Sequence, residues 1–225
     1  MRSLCKASGR DCGNDKLEFM DWKGFESLQE YVAERRDEHY MIPMERREKL
    51  EVLAALISQN RGREFNIIFI CTHNSRRSHM AHLWAAIGSV MFGAENVKCF
   101  SGGTEATAFN PQAVFAIKTA GFKVSIKIPG ANPIYLVSYP GATKGERVFS
   151  KKYTDPPNPS RLFHAVMTCS DADEACPIVT GASSRHTITY EDPKAFDGTS
   201  KAKEAYAERS RQISREMLFL FSLTA

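Results

Sequence analysis

The stretch Asn66 to Ser78, reading NIIFICTHNSRRS, limits the folds open to this chain more than any other. An apolar, β-branched run (Ile67, Ile68, Phe69, Ile70) ends in Cys71. A polar loop follows, and then Met80, Leu83, Trp84, Ile87 and Met91 recur at helical spacing. The pattern predicts a strand, a tight loop and a helix start. A loop whose backbone N–H groups converge at a helix N-terminus is a site for a tetrahedral oxyanion. Cys71 stands at its centre. The helix dipole, the N–H nest and the Arg77 guanidinium all favour a thiolate there over a thiol, which makes Cys71 a candidate nucleophile. Arg77 can also fork two N–H bonds onto an anion and steady charge that builds in a transition state. Ser78 can donate a hydrogen bond to the sulfur.

A cysteine that ends an apolar strand is usually packing. The residues beside it argue otherwise, because Thr72, His73, Asn74, Ser75, Arg76 and Arg77 form a polar loop that no core position needs. Asn74 can hold such a loop through side-chain bonds to backbone groups and tolerates a left-handed conformation.

The run Cys71-Thr72-His73-Asn74-Ser75-Arg76-Arg77-Ser78 resembles the anion-binding loop of low-molecular-weight protein tyrosine phosphatases and thioredoxin-coupled arsenate reductases. The resemblance extends over about residues 64 to 220. It implies an open four-stranded parallel sheet with helices on both faces and residues 72–78 as the substrate-binding loop. His73 stands where this loop often has Gly, and Arg76 where a second Cys is frequent. The five-residue spacing makes Arg77 the anion clamp and leaves Arg76 as a solvated or steering residue.

The chain has 225 residues, 43% hydrophobic and 25% charged, with a net charge of +4. That is ordinary for a globular protein, suits anionic substrates and is too weakly basic to argue for nucleic acid. No run reaches the ~18 apolar residues of a membrane span, and MRSLCKASGRDCG has no secretory apolar region. A soluble cytoplasmic protein is expected.

Six cysteines are too few and too unevenly spaced for a disulfide scaffold. Cys5 and Cys12 fall in a leader over residues 1–16 that is expected to be disordered, and no metal is assigned to them. Cys99 lies in a short strand pattern from Val97 to Ser101 and reads as buried. Residues 17–62 carry two helical patterns, one between Gly24 and Glu38 and one from Pro43 to a stop near Gly62. This extension reads as a helical hairpin packed on the catalytic domain, or else as a lid or homodimerisation element. The catalytic domain then runs over 63–225.

After the first helix, a strand at Val97 to Ser101, a helix from Pro111 to Ala120 and Gly121 as its cap continue the α/β alternation. Within an insertion over about 125–160, Ile134 to Tyr139 and Arg147 to Tyr153 predict a β-hairpin. Phe163 to Thr168 is a further buried strand. It delivers Cys169-Ser-Asp-Ala-Asp-Glu-Ala-Cys176-Pro. Two cysteines about two helical turns apart stand roughly 10 Å from each other if the segment is helical. A disulfide therefore requires the segment to loosen. Six intervening residues are also a poor zinc spacing, so no metal is expected. The resembled reductases carry a pair at this spacing in a similar motif and join it during turnover. Asp192-Pro193, after a strand expected at Thr187 to Tyr190, sits where both families place the general acid. His79 and His82, at i and i+3 of the first helix, read as surface residues.

The resemblance implies reduction of arsenate by Cys71, Cys169 and Cys176 in turn, with thioredoxin as electron donor and no bound cofactor. Hydrolysis of a phosphotyrosine or small phosphoester needs only Cys71, Arg77 and Asp192 and is the alternative. Lys194 and Ala195 after Asp-Pro, where tyrosine phosphatases usually place aromatic residues, favour the small inorganic anion. A third reading, an anion- or redox-sensing binding protein, needs no general acid.

Overall fold

The computed structural model describes residues 21–224. Cys5, Cys12 and the leader lie outside them. Four parallel strands form the central sheet in the order β2-β1-β6-β7, with β1 Phe65–Cys71, β2 Val97–Gly103, β6 Phe163–Met167 and β7 Ala182–Thr187. This is the expected architecture. Every residue of β1 is buried, as its central position between two neighbours and two covered faces demands.

The helix after the anion loop, α3 (Arg77–Met91), is sandwiched between the sheet and the terminal helix α6 (Ala202–Ser222). All of its residues except Val90 are buried. That enclosure corrects the reading of His79 and His82 as surface residues, since no face of this helix meets solvent. His79 stacks on Phe109 with 4.1 Å between ring centroids. Burial, followed by the nearby Lys151 and the His82 ring, holds the His79 imidazole well below its usual pKa.

Helix α4 (Pro111–Thr119) begins at Asn110, whose side chain accepts from the N–H groups of Gln112 and Ala113. One amide oxygen thus serves two of the N–H groups that a helix start leaves without partners. The short helix α5 (Ser170–Ala175) follows β6.

At the N-terminal side, α1 (Glu26–Asp37) and α2 (Met44–Gln59) pack against α6, with a short 3₁₀ turn at His39–Met41 between them. Apolar residues Leu28, Val32, Leu50, Leu53 and Ile57 join the main core. Tyr31 stacks on Trp84 of α3. Arg46 Nε and Nη2 donate to both carboxylate oxygens of Glu216 at 2.7 and 2.6 Å, and Glu216 is 1% exposed. A carboxylate so deeply buried requires such a partner.

The insertion differs from the expected hairpin. It is a three-stranded antiparallel sheet of β3 (Lys123–Ile128), β4 (Ile134–Tyr139) and β5 (Ala142–Val148). Pro140 and Gly141 alone make the β4–β5 turn, with Gly141 at φ 89°. Such a two-residue turn starts the next strand at once, so β5 spans 142–148 rather than 147–153. Its polar, largely exposed side chains gave no strand pattern. The last strand is likewise displaced. It is Ala182–Thr187, not 187–190, because as a partly exposed edge strand its SSRH segment carries no apolar run. Cys99 in β2 is half-buried rather than buried, and burial together with Glu146 still pushes its thiol pKa up.

Candidate active site

The loop between β1 and α3 sits at the carboxyl end of the sheet, where open α/β sheets bind ligands. Four of its carbonyl groups are held by neighbouring segments. Cys71 O accepts from Thr104 N, Thr72 O from Glu105 N, His73 O from the Ser150 hydroxyl, and Ser75 O from Asn110 N. Among the described residues, no acceptor is bonded to the backbone N–H groups of residues 72–77. With four of its acceptors engaged elsewhere and its donors unspent, the loop has the make-up of an anion nest.

Asn74 supplies the turn, at φ 43°. Its Oδ1 accepts from Lys151 N at 2.9 Å, so its Nδ2 must be the donor to Ser78 Oγ, also at 2.9 Å. That leaves the Ser78 hydroxyl hydrogen for Cys71 Sγ, 3.1 Å away. Gly103, paired with Cys71 in the sheet, lets β2 approach the loop closely. A Cβ there would fall under 3.0 Å from backbone atoms of Thr72, Asn74 and Glu105.

Arg77 Nη1 donates to Tyr190 O at 2.9 Å and Nη2 to Asp192 Oδ2 at 2.7 Å. Its Nε is buried without a partner among the described residues. Asp192 also caps the 3₁₀ turn Pro193–Phe196 by accepting from Lys194 N. The expected acid is thus beside the expected anion clamp. Arg76 is not the solvated residue that its position suggested. It donates through Nε to Tyr206 OH at 2.7 Å and approaches Asp197 at 3.3 Å, fastening the loop to α6. Tyr206 in turn donates to Asp197. Burial, reinforced by Asp197 and offset by Arg76, raises the Tyr206 pKa to about 12. His73 is half-exposed and 3.6 Å from Glu105.

Cys71 and Cys169 both lie just at the carboxyl ends of adjacent strands, β1 and β6, and both are buried with free thiols. The hydroxyl of Thr72, the residue directly after Cys71, is 3.5 Å from Cys169 Sγ. Cys169 is the N-cap of α5 and accepts from Ala172 N. Cys176 is the C-cap, partly exposed, at the other end of the same helix.

No family model matches the chain. The arsenate reductase of Bacillus licheniformis is 30% identical over 162 residues, which span 70% of this chain and 95% of that protein. The chain belongs to the arsenate reductase family. The arsenate reductase of Bacillus subtilis is 28% identical over 64% of this chain and 86% of that protein. Among solved structures, the thioredoxin-dependent arsenate reductase of Corynebacterium glutamicum is 20% identical and covers 89% of this chain and 88% of that one, with a TM-score of 0.40.

Several residues that serve this arsenate reductase-family site gave no sequence signal. Ser150 and Lys151 brace the loop from within the insertion, just past β5, and Asn158 Nδ2 ties Ser101, Lys152 and Tyr153 together. Arg46 donates to Thr189 O at 3.0 Å and stacks over the Tyr190 ring, steadying the segment that presents Asp192. Beneath the loop, Glu146 lies 2.9 Å from His82 Nε2 and accepts from Tyr139 OH. Burial would push the Glu146 carboxyl up, but His82 and Tyr139 outweigh it and hold it below its usual range. Among the described residues no cluster of His, Cys, Asp and Glu suits a metal, and no helix is long and apolar enough to cross a membrane.

Proposed function

We propose that this enzyme reduces arsenate to arsenite through Cys71, Cys169 and Cys176, and that a thioredoxin-type dithiol restores it. The observation that carries the reading is the approach of Cys169 to the nucleophile's own loop, through the Thr72 hydroxyl. An anion entering the nest takes donors from Arg77, including the unpartnered Nε, and loosens its hold on Asp192. The Cys71 thiolate attacks arsenic while Asp192 protonates the departing hydroxide, which leaves as water. Cys169 then attacks Cys71 Sγ. The S–As bond breaks, its electron pair stays on arsenic, and arsenite leaves behind a Cys71–Cys169 disulfide. Cys176 attacks Cys169 Sγ, freeing the Cys71 thiolate and leaving Cys169–Cys176 for the external dithiol.

Hydrolysis of a phosphoester would use the nest, Arg77 and Asp192 but neither Cys169 nor Cys176. The test is arsenate turnover with thioredoxin, thioredoxin reductase and NADPH, beside hydrolysis of an aryl phosphate, for wild type and Cys176→Ser. NADPH oxidation that depends on arsenate and vanishes in the variant supports the relay. Aryl phosphate hydrolysis in both proteins, with no arsenate turnover in either, would overturn it.

A further inference from the structure

The relay requires Cys169 and Cys176 to meet, yet they cap opposite ends of α5. Six intervening helical residues separate them by roughly 10 Å, beyond disulfide reach. The C-terminal half of α5 must therefore unwind. A helix this short has little internal reason to persist, since its last carbonyl groups have no partner within it. Here they have one outside it. Arg185, on the edge strand β7, donates from Nη2 to Asp173 O at 2.6 Å and to Asp173 Oδ1 at 2.5 Å, and from Nε to Cys176 O at 3.2 Å. Its Nη1 reaches Thr187 Oγ1 at 3.3 Å, and that hydroxyl donates to Asp173 Oδ1 at 2.8 Å. One guanidinium thus binds two backbone carbonyl groups and one carboxylate of the redox segment, and places a cation at a helix C-terminus, where the dipole favours it.

We infer that Arg185, with Thr187, is a positioning clamp that holds the Cys169–Cys176 segment in its helical dithiol form and so sets how readily the pair becomes a disulfide. The inference rests on the relay reading above. Arg185 touches none of Cys71, Arg77 or Asp192 and takes no part in anion binding. Oxidation of the pair removes two protons and two electrons, which pass to oxidised dithiothreitol in a redox buffer and, over the whole turnover, to arsenate; in the last turnover step Cys176 loses its proton, Cys169 Sγ exchanges its bond to Cys71 for one to Cys176, and Cys71 leaves as thiolate. The clamp stabilises only the reactant side. Its loss shifts the exchange toward the protein disulfide.

The test equilibrates the full-length chain with mixtures of reduced and oxidised dithiothreitol, quenches with acid, alkylates free thiols and quantifies Cys169–Cys176 by mass spectrometry. Relative to wild type, Arg185→Gln raises the equilibrium constant for disulfide formation about tenfold, as expected for loss of charge-assisted hydrogen bonds. Arg185→Lys, which keeps the charge without the fork, gives a smaller rise. Thr187→Val, a change too small to threaten folding, gives about twofold in the same direction. Amide hydrogen exchange over residues 173–176 rises in Arg185→Gln while the anion loop stays protected, which separates a local clamp from a general loss of structure. Equal equilibrium constants in wild type, Arg185→Gln and Thr187→Val would overturn the clamp and leave the relay standing. Failure of every protein to form the disulfide at any ratio would overturn the relay and the clamp with it.

Discussion

The two sulfur-bearing segments at the carboxyl end of the sheet are held in opposite ways. The Cys71 loop is fastened by four neighbouring segments, through Thr104, Glu105 and Asn110, through Ser150 and Lys151, through Tyr206, and through Tyr190 by way of Arg77. The Cys169–Cys176 segment is one short helix with a single arginine across its far end. A transition-state site gains from rigidity, because donors already in place cost no reorganisation when charge develops. A relay of three sulfurs gains from one segment able to move, because fixed thiols about 10 Å apart cannot exchange. The contrast is the physical content of the proposed mechanism.

The sharpest way to break the rigid half is at Gly103. An alanine there drives a methyl group into the loop backbone, and displacement of about 1 Å at a reacting centre costs on the order of 10²-fold in rate. We expect Gly103→Ala to lower arsenate kcat/KM by about that factor while the Cys169–Cys176 pair still oxidises in a redox buffer; steady-state kinetics and thiol mapping check it. Arg46→Met removes the brace behind Thr189 and Tyr190 and leaves Glu216 buried without its charge partner. The expected result is a loss of several kcal/mol in stability, about 3 or more, read by urea unfolding, with kcat falling about tenfold and KM little changed. An unchanged kcat in folded protein would remove the N-terminal helices from the catalytic argument.

The smallest effect sharpens the comparison through pH. Lys151 is buried beside the loop, and desolvation, offset in part by Glu146 and Asp155, lowers its pKa from 10.5 to about 8. Below about pH 8 both folded and unfolded chains carry the proton, and the fold bears the full cost of burying the charge. Between about 8 and 10.5 the unfolded chain binds the extra proton, so this contribution to stability rises with pH. Lys151→Met should therefore be more stable than wild type at neutral pH, with the advantage shrinking toward pH 10.5; urea midpoints across that range check it.

What the sequence disclosed follows from how local each feature is. Strand, loop and helix from Asn66 to Ser78 are contiguous, and the apolar run and Asn74 are read without knowledge of anything distant. Cys169, Cys176 and Asp192 were likewise legible from spacing and from likeness to two families. The braces were not, since Ser150 meets His73 across 77 residues and Arg46 meets Glu216 across 170. His79 and His82 misled because helical periodicity assumes one wet face, and α3 has none. Arg185 misled in the other direction: on an edge strand its polarity hid both the strand and the contact it makes with α5.

The most direct test of a fixed nucleophile served by a moving relay is disulfide mapping after one equivalent of arsenate, without an external reductant. The account predicts a Cys169–Cys176 disulfide in wild type, a Cys71–Cys169 disulfide in Cys176→Ser, and one equivalent of arsenite from each. Arsenite released with no disulfide among these three cysteines, or a Cys71–Cys176 link in wild type, would contradict it.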